Sequence, residues 1–63
     1  MTITSIRFYD KASDEVKEHI FTSNDFSYCL DYLSDAELIA AAAEKFSNTY
    51  PDVSIIGVEI IAR

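Results

Sequence analysis

The chain opens with alternation. In Thr2 to Tyr9, TITSIRFY, Ile6 and Phe8 fall on one side of an extended strand and Arg7 and Tyr9 on the other. β-Branched and aromatic residues dominate the stretch, as a pleated, half-buried surface favours. Asp10 to Asp14, DKASD, interrupts it with turn-forming residues. Alternation resumes in Glu15 to Thr22, EVKEHIFT, with Val16 and Ile20 on one face and Lys17, His19 and Phe21 on the other. Two such runs around a polar turn predict a β-hairpin. A short helix from Ser13 to His19 competes, because Asp14 and Glu15 near its start would suit the helix dipole. The strand-favouring HIFT decides for the hairpin.

The period changes after Thr22. Ser23 and Asn24 offer a helix cap, and Phe26, Cys29, Leu30 and Leu33 follow at helical spacing. Ser34-Asp35-Ala36-Glu37 is then a capping box, with serine at the cap and glutamate three residues on, flanked by Leu33 and Leu38 as a hydrophobic staple. Together they predict either two helices or one long helix bent at Ser34. The apolar face of the second part is Leu38, Ile39, Ala42 and Phe46, and Ala40 to Ala43 adds strong helix propensity with little bulk. Tyr50-Pro51 ends it, since a residue before proline avoids the helical region. Val53 to Ala62, VSIIGVEIIA, is apolar on both faces, with Ile56, Val58 and Ile60 on one and Val53, Ile55 and Ile61 on the other. That reads as a strand covered on both sides. The expected fold is α+β in the order ββααβ. It is a three-stranded antiparallel or mixed sheet, first strand central, with one bent helix or two helices packed on one face.

Length limits how much such a fold can hide. Residues 1–63 make one small domain, and a chain of that size buries only about 60% of the surface its unfolded form exposes. A dimer or a stable partner would supply what the core lacks. One cysteine cannot form an internal disulfide, and no N-terminal stretch joins basic residues to an apolar run. No apolar run approaches the length of a membrane span. A cytoplasmic protein is the expectation.

Chemistry is sparse. Cys29 on the apolar arc is expected to be buried and inert, and His19 to be an ordinary surface histidine, so they do not make a nucleophile and base. One His and one Cys do not supply a metal site. Asp31 to Glu37 lacks the glycine turn of a calcium loop, and the single Gly57 sits mid-strand, away from any phosphate loop. A carboxylate pair for acid/base chemistry would need a cleft that 63 residues seldom build. No catalytic residue, cofactor or metal ligand is assigned.

Charge changes the picture most. Eleven acids stand against five bases, for a formal charge of −6, which disfavours nucleic acid and anionic membranes and favours a basic partner. Between Glu18 and Glu44 no Lys or Arg occurs. On a helix, Tyr28, Asp31 and Asp35 would lie opposite the apolar arc, with the two carboxylates about 6 Å apart. Glu37 and Glu44 would point outward beyond them, and Asp25 stands at the start of the block. Carboxylates so spaced can stand in for successive phosphates against the Arg and Lys of a nucleic-acid groove, with Tyr28 and Tyr32 giving apolar contact area. The partner-binding residues expected on this reading are Asp25, Tyr28, Asp31, Tyr32, Asp35, Glu37 and Glu44.

This short, acidic, cysteine-poor α+β profile without a catalytic motif resembles the small anti-CRISPR proteins of phages and mobile elements. The resemblance covers the whole chain as a profile, with no shared motif. It implies a DNA mimic acting in the host bacterial cytoplasm on a CRISPR-Cas effector subunit, a type I surveillance complex above all. Two other classes fit the same residues. One is a homodimeric interaction module joined through the apolar back of the sheet, lined by Tyr9, Phe21, Val53, Ile55 and Ile61. The other is an antitoxin-like binder of a basic partner.

Overall fold

The computed structural model describes all of residues 1–63. Strands β1 (Ile3–Asp10) and β2 (Glu15–Thr22) form the expected hairpin. A 3-10 turn at Ser23–Asp25 follows, then an irregular segment, helix α1 (Asp35–Thr49) and strand β3 (Ser54–Ala62). The sheet is antiparallel throughout in the order β2-β1-β3, so β1 is central. The class is α+β, with one α-helix where two or a bent one were expected.

The hairpin forms because its turn satisfies itself. Asp10 accepts from the Ala12 backbone N–H (3.1 Å) and the Ser13 hydroxyl (3.1 Å), and pairs with Lys17 Nζ at 2.7 Å. Asp14 takes the left-handed conformation (φ 54°), which Asp tolerates better than most residues, and accepts the Tyr9 hydroxyl. The capping box forms as read. Ser34 Oγ accepts from the Glu37 N–H at 3.2 Å, and Glu37 accepts from the Ser34 N–H at 3.0 Å. Leu38, Ala42 and Phe46 are buried at a four-residue interval, while Ile39, expected beside them, is turned to solvent.

The core lies between α1 and the sheet. Ile6, Phe21, Ala42 and Phe46 form its centre, with Phe8, Phe26, Val53, Ile55 and Val58 packed around them. Phe46 stacks on Phe8 (5.0 Å between ring centroids), Tyr50 (5.2 Å) and His19 (5.9 Å). Phe46→Ala would cost about 3–5 kcal/mol, a large part of the roughly 3–9 kcal/mol a chain this size holds in total. His19 is therefore a packing residue and not the ordinary surface histidine expected.

Four further expectations are corrected. Residues 26–33 are not helical. Ser27, Tyr28, Cys29, Asp31 and Tyr32 are weak helix formers, and so short a helix is marginal in water even with good ones. The apolar residues are still used, with Phe26 packed on the core and Leu30 buried, but the backbone between them turns. Cys29 consequently points outward and is exposed. β3 does not alternate strictly. Its register against β1 shifts twice, leaving Ile56 and Ile61 as extra residues, so Val53, Ile55 and Val58 all reach the core. The back of the sheet is accordingly lined differently from expectation, because Phe21, Val53 and Ile55 belong to the core.

Candidate partner-binding surface

The acidic block is split. Asp25 and Asp31 lie in the irregular stretch after β2, Asp35 and Glu37 in the first turn of α1, and Glu44 further along that helix. Asp31 lies in a turn and Asp35 is the first residue of α1, so the expected four-residue spacing of two carboxylates on one helix does not exist.

Three of the five acids hold the chain's own backbone or an internal cation. Asp25 Oδ2 accepts from the Thr22 N–H at 2.7 Å and closes the 3-10 turn. Glu37 completes the capping box. The Ser34 backbone N–H, and then its hydroxyl, lower the Glu37 pKa from the usual carboxylate value. Asp35 Oδ1 receives Arg63 Nη1 at 2.8 Å. Asp35 and Glu37 also sit in the first turn of α1, where the helix dipole favours negative charge.

Arg63 is the residue that sequence reasoning missed. Beyond Asp35, its Nη2 donates to the carbonyls of Leu33 (2.7 Å) and Leu30 (3.1 Å). One guanidinium thus ties the irregular segment to the end of β3, using the planar fork that Arg has and Lys lacks. It also places a cation inside a block that is free of bases in sequence. A second cation arrives from α1. Lys45 Nζ stands over Phe26 (5.5 Å) and Phe21 (5.9 Å), in a cation–π arrangement that covers the rim of the core.

Four of the expected residues stay uncommitted. Asp31 and Glu44 make no ion pair or side-chain hydrogen bond, Tyr32 is 89% exposed, and Tyr28 is half-exposed. Tyr28 stands between two open clefts. One, of about 300 Å³, runs along α1 between Phe26, Ser27, Glu44, Lys45 and Asn48. The other, of about 380 Å³, is lined by Met1, Ser23, Cys29, Asp31 and Arg63 among others. Tyr28 thus borders both the cleft that Glu44 lines and the cleft that Asp31 lines. No group of His, Cys, Asp and Glu side chains is arranged to hold a metal ion, and no helix is long and apolar enough to cross a membrane.

The hairpin end carries acids too. Asp10 and Asp14 are held in the turn, whereas Glu15 and Asp52 are exposed and without partners. Negative charge thus lies at both ends of a molecule 36 Å long. No protein-family model, curated protein or solved structure matches the chain.

Proposed function

We propose that the protein is a non-catalytic acidic inhibitor that binds the nucleic-acid-binding surface of a basic protein. One observation carries the reading: Asp31 and Glu44, each lining a cleft that the exposed Tyr28 also borders, have no internal partner, and Tyr32 is almost wholly exposed. Charged groups that nothing inside the chain uses, set around aromatic area, suit a partner rich in Arg and Lys. The anti-CRISPR resemblance supports a narrower form. In it the protein imitates DNA on a subunit of a type I surveillance complex in the cytoplasm of a bacterial host. The centre of binding is then Asp31, Glu44, Tyr28 and Tyr32, with Asp25, Asp35 and Glu37 adding field while holding the fold.

The test is capture from a bacterial lysate at low and high salt, followed by competition with target DNA on a purified type I complex. Binding should weaken steeply with salt, since exposed charges are screened beyond roughly 8 Å at physiological ionic strength, and DNA should compete. Asp31→Lys with Glu44→Lys should weaken binding far more than Glu15→Lys with Asp52→Lys, which changes the net charge equally at the other end. Equal effects from both pairs would reduce the acidity to bulk charge, and no effect from either would sink the proposal.

A further inference from the structure

The face of the sheet turned away from α1 has no element over it, for the helix packs on β1 and β3 from one side only. Cross-strand pairing places Ser5, Arg7 and Tyr9 of β1 on that face, with Val16, Glu18 and Ile20 of β2 beside them. Val16 is 59% and Ile20 44% exposed. Ile56 and Ile61, the two extra residues of β3, are turned away from the core at 55% and 53% exposure. Four large aliphatic side chains in solvent around one small sheet is more than a chain with six buried apolar residues can easily spare.

The charges on this face say what covers it. Arg7 stands opposite Glu18, yet makes no ion pair or hydrogen bond anywhere in the chain. Its guanidinium lies instead across the neighbouring strand near Gly57, 3.9 Å from where a Cβ would stand there. Glu18 and Glu59 are likewise unpaired. The face thus carries a central cation with an acid on each outer strand, and a two-fold image of the same face offers an acid for each arginine. The face itself contributes only one unit of net negative charge, from two acids and one base, so most of the chain's −6 lies elsewhere. Ser5, only 2% exposed between its neighbours Ile20 and Glu59, leaves no pit in the middle, so the surface is a floor on which another sheet can lie.

We propose that a second copy of this chain packs on the open face, sheet against sheet about 10 Å apart, with Arg7 of each copy meeting the acids of the other. Three strands of eight, eight and nine residues cover roughly 370 Å² in plan, and more once side-chain relief is included. Two copies then bury roughly 1,100 Å² in all, at the low end of specific interfaces. A dimer that dissociates in the micromolar range follows. It leaves the Asp31–Tyr28–Glu44 surface uncovered on both outer sides, so this dimer and the acidic binding surface stand or fall separately.

Sedimentation velocity on the whole chain, from about 5 µM to about 500 µM, is the first measurement, spanning the affinity such an interface gives. A shift from monomer to dimer is expected, and a monomer at every concentration overturns the proposal. Two variants then locate the interface. Arg7→Glu makes all three face charges negative, and Glu18→Lys with Glu59→Lys makes all three positive. All three positions are exposed, and circular dichroism checks that each variant folds. Each alone should be monomeric, and an equimolar mixture should form a one-to-one dimer. A dimer that neither variant weakens lies on another surface, and a mixture that stays monomeric removes the charge pairing; either result refutes the proposal.

Discussion

Arg63→Met tests whether one guanidinium holds the irregular segment in place. The substitution keeps much of the side chain's length and apolar stem but removes the donors to Asp35, Leu33 and Leu30. The pair with Asp35 contributes little, since that carboxylate is 75% exposed. The two carbonyl bonds matter more, because a charged donor strengthens them and the Leu30 oxygen is part-buried. Discounted for a guanidinium that is itself one-third exposed, they contribute about 2 kcal/mol together. In a domain this small that is about 10 °C in Tm. Thermal unfolding followed by circular dichroism reads the total. Native-state hydrogen exchange at the Leu33 amide, which donates to Leu30, reads the segment itself. Arg63→Lys should recover less than half, because an ammonium cannot span three oxygens, and Asp35→Asn should cost much less than Arg63→Met. An Arg63→Met chain that melts within about 2 °C of the wild type, with Leu33 protection unaltered, would show that the segment is held by Phe26 and Leu30 alone.

Two further outcomes follow from the geometry. Lys17, Ser13 and Ala12 lower the pKa of Asp10, and Ser34 lowers that of Glu37. Their contributions are present above the unfolded carboxylate pKa and are lost as pH falls through the lower folded values. Stability should therefore hold near neutrality and decline below about pH 4, with a shallower acid limb for Glu37→Gln, as a pH series of urea melts would show. Lys17, raised by Asp10, adds stability that is lost only as pH rises through its raised pKa, above the ordinary lysine range. The register shift at Ile56 puts Ile55 and Val58, three residues apart, on the same face: Ile55→Lys and Val58→Lys should each cost about 2–4 kcal/mol because each places a charge against the core, whereas Ile56→Lys should leave urea unfolding of the monomer within about 0.5 kcal/mol. A Val58→Lys chain as stable as Ile56→Lys would mean that β3 alternates regularly after all.

The local signals in the chain were the readable ones. The hairpin, the helix start at Ser34 and the central position of β1 all follow from alternation, a capping box and a paired apolar strand. The segment from Phe26 to Leu33 shows where periodicity misleads. Two of its four apolar residues, Phe26 and Leu30, do pack inward, but a spacing records which side chains are buried, not the backbone that buries them. Cys29 had the right spacing and still faces water. In β3 a continuous apolar run hid two extra residues, because isoleucines on either side of a bulge look alike in sequence. The acidic block was legible as composition only. That Asp35 is neutralised depends on Arg63, 28 residues away, and nothing local to either residue signals the pair.

The central strand acquires its two neighbours at very different stages of folding. β2 follows β1 after a turn of four residues, Lys11 to Asp14, so that pairing can form early. β3 pairs Ala62 with Ile3, and this closure waits on the whole of the intervening chain. Until it happens, one edge of β1 carries unpaired backbone groups beside Ile6 and Phe8, a template for any strand that comes near. A cell that makes this chain quickly accumulates half-built sheets together, so recovery of folded protein should depend on how fast it is synthesised more than on the stability of the finished fold.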